Sequence, residues 1–347
     1  MSPTTNETRD RPRPVMTDVA RLAGVSLGTV SNVLNTPNLV AAGTRERVER
    51  AIEELGFVRN RTARSLAMGR ADTVGFVIVD LANSLFLDIA RGAEEAFDTK
   101  HKRLLLANSD VDLAKQTGHI ELFEETQVAG ILLAPLDAPL DAAQHARGRG
   151  MPVVQVNWPG SGDACGVVAD EELGGYLAAK HVIALGRRRL VFAGGPFSLS
   201  AVAARRRGVL RACEESRGVE IETIETPRIT VRGGHSLGVM LAERPPHERP
   251  DALVCASDAL AFGAMQPLLA AGVSVPEDLA VVGFDNNRMS TDSPVRITSV
   301  GQPGLEMGRV GAELLMEEIA LGDRHEHRTI VLPPSLHERA STIGGRG

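Results

Sequence analysis

Residues Gly24-Val25-Ser26-Leu27-Gly28 fit the G-x-S-x-G spacing that exposes a nucleophilic serine on a strand-to-helix turn. That chemistry needs a strand before the serine. Here Val19, Ala20 and Ala23 precede it at helical spacing, so Ser26 reads instead as the cap of a second helix. Thr17 to Asn35 then forms two short helices meeting at a sharp turn. Ala20 is small enough for the second helix to cross closely, and Gly24 supplies the left-handed turn. Val25, Val30 and Val33 or Leu34 seal the angle. The outward residues of the second helix, Leu27, Gly28, Thr29, Ser31 and Asn32, would face a DNA major groove. Thr17 and Asn35, at the two ends of the segment, join them as DNA-binding candidates. An ordinary helical hairpin is the plainer reading, but the coincidence of cap, turn glycine and core spacing favours DNA.

Other reactive residues point to little chemistry. Cys165, Cys213 and Cys255 form no C-x-x-C pair and no metal-ligand spacing. They read as small core residues in a reducing compartment. His325 and His327 form a lone pair in a polar segment and are expected to be solvated. There is no G-x-x-x-x-G-K-[ST] phosphate cradle, no H-E-x-x-H motif and no set of acid, base and nucleophile. No enzymatic activity, cofactor or metal is expected.

The elements that must carry these residues follow from pattern. The chain has 347 residues and a net charge of −6, room for two or three domains. Residues 1–70 hold 11 arginines against 7 carboxylates, an excess of +4; the remainder holds 27 basic against 37 acidic residues, −10. A basic head on an acidic body suits a module that seeks phosphate. Residues 1–14 are polar and proline-bearing, read as a disordered tail and not a signal peptide, and no apolar run is long enough for a membrane span. A third helix is expected from about Ala42 to Leu55, stopped by Gly56. From Thr73 the texture changes to short apolar runs, Val74–Val79, Leu104–Ala107, Gly130–Ala134, Val153–Val156, Leu190–Ala193, Ala252–Cys255 and Ala280–Phe284. Amphipathic stretches separate them: Ser84–Phe97, Leu113–Thr126, Glu171–Leu185, Ala201–Glu215 and Leu260–Ala271. Such alternation marks parallel sheets covered on both faces. So many units predict two doubly wound lobes with a ligand cleft at the strand ends between them.

These segments resemble the lac-repressor (LacI/GalR) family of bacterial regulators. The resemblance rests on the headpiece above, on Thr44-Arg45-Glu46-Arg47-Val48, Ile52 to Phe57 and Asn60 to Leu66. It continues through Val128 to Pro135, Gly194-Gly195-Pro196, Ser257-Asp258, Val282 to Asn286 and Gln302-Pro303. It spans about Met16 to Thr342. It implies an α + α/β protein: a helix-turn-helix headpiece (15–58) and a hinge helix (59–70), then a two-lobed periplasmic-binding-protein-like effector and dimerisation domain (71–347). Lobe one is placed at about 72–160 plus 291–321, lobe two at about 161–290 plus 322–341. The crossings between them fall near 158–162, 286–294 and 321–323.

The resemblance also assigns roles. Leu27 and Gly28 match the family's base-reading pair, and Asn32 a third position, where an asparagine reads adenine. Val15 stands where relatives often have a phosphate-contacting threonine. Asn60 to Met68 matches a hinge helix that folds on DNA, with Leu66 as the leucine wedged into the minor groove and Ala63 as its neighbour. Arg205 matches an effector-holding arginine and Asp285 an acidic cleft residue. A buried arginine and aspartate need a partner, and a ligand or each other would serve. Trp158 and Phe86 are candidate aromatic platforms, beside Asn157 and Asn83, and Gln302 is a hinge or cleft contact. Asn157 and Ser257 replace the aspartate and asparagine of many sugar-binding members. The effector is expected to be a carbohydrate or sugar derivative sooner than a nucleobase. No heptad tail follows Ser341-Thr342, so the expected assembly is a cytoplasmic homodimer on a pseudo-palindromic double-stranded operator, acting as a repressor. A transporter's solute-binding protein and a sugar-processing enzyme are the competing readings. The first lacks a reason for the headpiece, and the second would turn its ligand over.

Overall fold

The structure is a computed structural model that describes residues 14–57, 72–136, 140–160 and 162–344. The expected tail up to residue 13 and the expected hinge helix, with Asn60, Ala63 and Leu66, lie outside the described residues. The chain divides into two units, Met1–Arg70 and Ala71–Gly347.

The first unit holds α1 (Met16–Ala23), α2 (Leu27–Asn35) and α3 (Ala42–Leu55), with a 3-10 turn at Pro37–Leu39. Gly24 ends α1 in the left-handed region at φ 64°, where a side chain would be strained. Ser26 starts α2: its Oγ accepts from the backbone N–H of Thr29 at 3.1 Å. Val19, Ala23, Val30, Val33, Val48 and Ala51 form one small core shared by all three helices. Arg47 on α3 donates to the carbonyl of Ala23 at the end of α1.

In the second unit the apolar runs form two six-stranded sheets. The first contains β1 (Thr73–Ile78), β2 (Arg103–Asn108), β3 (Ile131–Leu133), β4 (Val153–Val156), β5 (Gly166–Ala169) and β11 (Thr329–Leu332). Their order is β11-β5-β4-β3-β1-β2, and every pair is parallel. The second contains β6 (Arg189–Gly194), β7 (Glu220–Glu225), β8 (Ala252–Cys255), β9 (Ala280–Asp285), β10 (Thr298–Gly301) and β12 (Ser335–His337). Their order is β12-β10-β9-β8-β6-β7, with only β12 antiparallel. The two sheets repeat one topology, a doubly wound order whose strand direction of travel reverses beside β1 and beside β6.

Helices cover both faces of each sheet because strands such as Val74–Ile78 are apolar on both faces. On the first sheet, α4 (Ser84–Asp98) and α12 (Gly304–Leu321) share one core. α5 (Leu113–Glu125) and α6 (Asp141–Gly148) share the other. On the second, α7 (Glu171–Ala184) and α8 (Ser200–Glu214) cover one face. α9 (Val231–Ala242) and α10 (Asp258–Ala270) cover the opposite one, and the short α11 (Arg288–Asp292) follows β9. Three of these helix pairs cross on reciprocal glycines. A Cβ on Gly92 of α4 would stand 1.9 Å from the Leu305 carbonyl of α12, and one on Gly308 would stand 1.9 Å from that of Ile89. Gly175 and Gly208 do the same for α7 and α8, and Gly234 and Gly263 for α9 and α10.

The topology corrects the expected lobe boundaries. β5 at 166–169 and β11 at 329–332 belong to lobe one, and β10 at 298–301 belongs to lobe two. The crossings therefore fall at residue 170, at 302–303 and at 333–334, not near 158–162, 286–294 and 321–323. The reason is strand pairing: β5 continues the parallel ladder beside β4, and β10 continues it beside β9. Neither is a run of large apolar residues: β5 reads Gly166-Val167-Val168-Ala169 and β10 Thr298-Ser299-Val300-Gly301.

Candidate functional site

In the headpiece, α2 buries Val30 and Val33 and turns Leu27, Gly28, Asn32 and Asn35 outward. Leu27 is 47% exposed. The hydroxyls of Ser26 and Thr29 bond each other at 2.9 Å, and Asn35 donates to Ser31 Oγ at 3.2 Å. Thr29 and Ser31 are half-buried, so the open face is narrower than five residues. Thr17 is exposed in the first turn of α1. A Cβ on Gly28 would meet only Ser26 Oγ, at 3.7 Å. Nothing in the fold requires glycine there.

A second constellation sits where the lobes meet. Asp285 closes β9 with φ 99°, and Asn286 follows at 53°. Both are left-handed backbone without glycine, a strain that persists only where surroundings impose it. Asp285 Oδ1 accepts from Gln302 Nε2 at 2.9 Å, and Oδ2 accepts from Asn83 Nδ2 at 3.4 Å. Gln302 occupies the second crossing, and Asn83 caps α4 by accepting from Leu85 N–H. The Asn83 contact thus ties lobe one to lobe two. A backbone tie lies beside it: Arg288 N–H donates to Ser84 Oγ at 3.2 Å.

Arg205, on α8, is 5% exposed. Its Nε and Nη2 grip the Glu171 carboxylate at 2.7 and 3.1 Å, and Nη1 donates to the Ala256 carbonyl. Asp285 Oδ1 is farther, 3.6 Å from Nη2. The guanidinium also lies 3.8 Å over the Phe284 ring. The principal partner of Arg205 is thus Glu171, at the first crossing. Spacing in the sequence gives no sign of that pair, because its members lie 34 positions apart on two helices with β6 between them.

Behind Asp285 lies Asp258, fully buried at the start of α10. Its Oδ1 accepts from Ser299 Oγ at 2.6 Å, and its Oδ2 from Asn287 N–H at 2.8 Å. Gly283 makes room for it, since a Cβ there would stand 2.1 Å from Asp258 Oδ1. Burial pushes the Asp258 carboxyl up to about 8, with the nearby Asp285 charge adding to the effect. Burial also pushes Asp285 up, to about 6, against the pull of Arg205. Asp258 was not among the sequence candidates. Its neighbour Ser257 was, and its hydroxyl serves as the cap of α10, accepting from Leu260 N–H.

Of the expected cleft residues, Asn83, Arg205, Asp285 and Gln302 are joined in this network, and Ser257 adjoins it. Asn157 and Trp158 lie outside it, in lobe one at the end of β4. Asn157 is left-handed, φ 56°, with its Oδ1 buried and unpartnered. Trp158 is half-buried and bridges to Val167 through its backbone. Phe86, expected as a platform, is 5% exposed and packs into the lobe-one core with Leu85 and Ile89. The apolar face of α4 claims its ring. Gln302 uses Nε2 on Asp285 and leaves Oε1 buried with no hydrogen-bond partner in the protein.

Comparison with known proteins gives matching results along the chain. The profile of bacterial regulatory proteins of the lacI family matches residues 15–60, and that of the periplasmic binding protein-like domain matches 179–342. The HTH-type transcriptional repressor PurR of Vibrio atlanticus (strain LGP32) is 32% identical over 328 residues, covering 93% of this chain and 97% of its own. A transcriptional regulator CelR–cellobiose complex is 32% identical, with a TM-score of 0.68 and coverage of 95% of this chain and 100% of its own. A LacI family transcriptional regulator from Enterococcus faecium with bound ribose is 26% identical, with a TM-score of 0.69 over 78% of this chain and 98% of its own.

Proposed function

This chain belongs to the lacI family of bacterial regulatory proteins, and we propose that its Asp285 network binds a carbohydrate or sugar derivative that sets the grip of its headpiece on operator DNA. It is a DNA-binding transcriptional regulator. The finer assignments are our reading. Residues 15–58 form the DNA-reading headpiece, with Leu27, Gly28 and Asn32 on the base edges and Thr17, Ser26, Thr29, Ser31 and Asn35 around them. Residues 59–70 form the hinge, and 71–347 form the effector and dimerisation domain.

The observation that carries the effector reading is the orphaned Gln302 Oε1 beside the Asp285 carboxylate. A buried acceptor without a donor is costly. Asp285 adds carboxylate acceptors at the same place. A ligand with adjacent hydroxyls supplies donors to both, and an amide and a carboxylate at a crossing between lobes respond to lobe closure. Arg205 is already held by Glu171 and Ala256, so it positions Asp285 and does not wrap the ligand. Asn157 and Trp158 would complete the site from lobe one. The cellobiose and ribose bound by the two regulators above favour the same ligand class. The protein represses, binds without turnover and acts in the cytoplasm. Among the described residues no helix is long and apolar enough to cross a membrane. It works as a homodimer on a pseudo-palindrome. The edge strand β2 supports that pairing, with Leu105 and Leu106 each 43% exposed.

The test is thermal unfolding of the full chain against sugars, sugar phosphates, polyols, nucleosides and purines. A ligand at about 100 times its Kd stabilises by roughly 2.7 kcal/mol. A carbohydrate hit lost in Asp285→Ala supports the assignment. A hit confined to purines, or none from any carbohydrate, overturns it. Leu66→Ala, in the expected hinge, should lose operator affinity while keeping the effector response. Unchanged affinity would remove the minor-groove wedge.

A further inference from the structure

A second polar cluster lies in lobe one, among residues that the effector reading does not use. Cys165 directly precedes β5, and His325 and His327 lead into β11. Because β11 pairs with β5, Thr329 opposite Gly166, the three side chains converge at one end of the sheet. Cys165 is fully buried and His325 is 8% exposed. That corrects one sequence expectation, since His325 is not solvated; Cys165 lies in the core as expected, with histidine nitrogens beside its sulfur. Cys165 Sγ lies 3.2 Å from His325 Nε2 and 3.8 Å from His327 Nδ1, and the three atoms all lie within 4.8 Å of one another.

We propose that Cys165, His325 and His327 form a binding site for a thiophilic divalent cation, with Zn2+ as the type. The donor set is one sulfur and two imidazole nitrogens, which suits Zn2+ over oxygen-seeking cations. A tetrahedral Zn2+ with Zn–S about 2.3 Å and Zn–N about 2.0–2.1 Å separates sulfur from nitrogen by about 3.5 Å. The two observed distances straddle that value, so small ring rotations suffice.

The surroundings add a second argument. His325 Nδ1 is buried without a hydrogen bond, yet stands 3.5 Å from Glu317 Oε1. With Nε2 on a metal, Nδ1 carries the proton and faces that carboxylate, the arrangement that orients metal-bound histidines. One contact opposes binding: Arg147 Nη2 approaches His327 Nε2 at 2.9 Å. Ligation through Nδ1 puts the proton on Nε2, so Arg147 must turn off the ring. It keeps Glu318 Oε1 at 3.0 Å and the Val153 carbonyl at 2.9 Å. The protein supplies three donors, which leaves the fourth position to water or a small anion. Occupancy would pin the start of β11 to the start of β5, fastening the strand that leads into the third crossing.

The test uses full-length protein stripped with chelator and titrated with Co2+ and then Zn2+. The expected result is one equivalent per chain, with a thiolate-to-Co2+ absorption band in the near ultraviolet that Zn2+ displaces. Cys165→Ser should abolish the band, and His325→Gln should weaken uptake at least 10-fold. Cys213→Ser and Cys255→Ser should leave both unchanged. Should Cys165→Ser fail to fold, His327→Gln with intact far-ultraviolet dichroism carries the test. Absence of the band in the wild-type protein, or its persistence in a folded Cys165 or His327 variant, overturns the site.

Discussion

The two lobes share a strand order, a two-sided helix cover and helix pairs seated on glycine, yet they keep their buried charge at different places. Lobe two gathers Arg205, Asp258 and Asp285 near the carboxyl ends of its strands, with Glu171 at the first crossing. Lobe one offers Asn83 and Asn157 there and places its buried ion pair, Arg147 with Glu318, beside the Cys165 cluster before β5 and β11. β4 and β9 occupy equivalent places, and each is closed by a left-handed residue, Asn157 in one lobe and Asp285 in the other. One fold plan therefore carries two chemistries. What differs is the handful of polar side chains placed at strand ends.

The sharpest way to break this comparison is to remove the arginine of each buried pair. Arg205→Ala leaves Glu171 and Asp285 without their cation and should cost about 3–5 kcal/mol, read by urea unfolding. Arg147→Ala should also destabilise, because Glu318 is 9% exposed at its side chain. Only the Arg205 variant should lose the effector-induced rise in Tm. Equal loss from both would erase the distinction between the two ends.

Next come the glycines, which should treat the lobes alike. Gly208→Ala and Gly308→Ala each force a Cβ to within 1.9 Å of a carbonyl oxygen on the facing helix. The helices must part, at about 1–3 kcal/mol each. A large inequality in their urea midpoints would show that one helix pair is looser than its counterpart.

Between about pH 4 and 8, the loss of stability with rising pH should come from lobe two. Asp285 and Asp258 hold protons more tightly folded than unfolded, at about 6 and about 8. Their contribution is fully present below about pH 4, the ordinary aspartate range, and is lost as pH rises through those values. Each group gives a slope of at most about 1.4 kcal/mol per pH unit. Asp285→Asn should flatten the fall between pH 4 and 6. A slope identical to that of the wild type would remove Asp285 as its source.

The smallest effects lie in the headpiece. Ser26→Ala should cost about 0.5–2 kcal/mol through its lost cap. Gly28→Ala should gain up to about 1 kcal/mol in helix propensity, because the added Cβ has space, while altering operator preference in a gel-shift series. A Gly28→Ala headpiece that melts earlier would give that glycine a structural duty after all.

How much was legible follows from how local each signal is. The headpiece was readable because its cap, turn and core residues lie within 19 positions, Thr17 to Asn35. Seven strands, β1 to β4, β6, β8 and β9, were readable as apolar runs. β7 was not, since Glu220 to Glu225 alternates charge with isoleucine and threonine at a sheet edge. β5, β10 and β11 are short and take their partners from afar, which displaced the expected crossings. The cleft was half legible. The family resemblance named Arg205, Asp285 and Gln302, while Glu171 and Asp258 became partners only through the fold. Phe86 packs into the lobe-one core, and in sequence an aromatic after a capping asparagine looks the same whether it faces ligand or core. The meeting of Cys165 with His325 and His327 spans about 160 residues, which no spacing rule bridges.

The interleaved strands also set a timetable for synthesis. Lobe one owns β1 near the start of its unit, but it receives α12 at 304–321 and β11 at 329–332 only when most of the chain exists. Until then β5 has an open edge, and the apolar face of α4 waits uncovered for Gly308 to arrive. Lobe two has its central strands by residue 285, but it too lacks β12 at 335–337. A ribosome releasing this protein from its N-terminus cannot finish the lobes one after the other. Both close only once residues 304–337 have been made, and the incomplete lobe one is the stretch most exposed to aggregation until then.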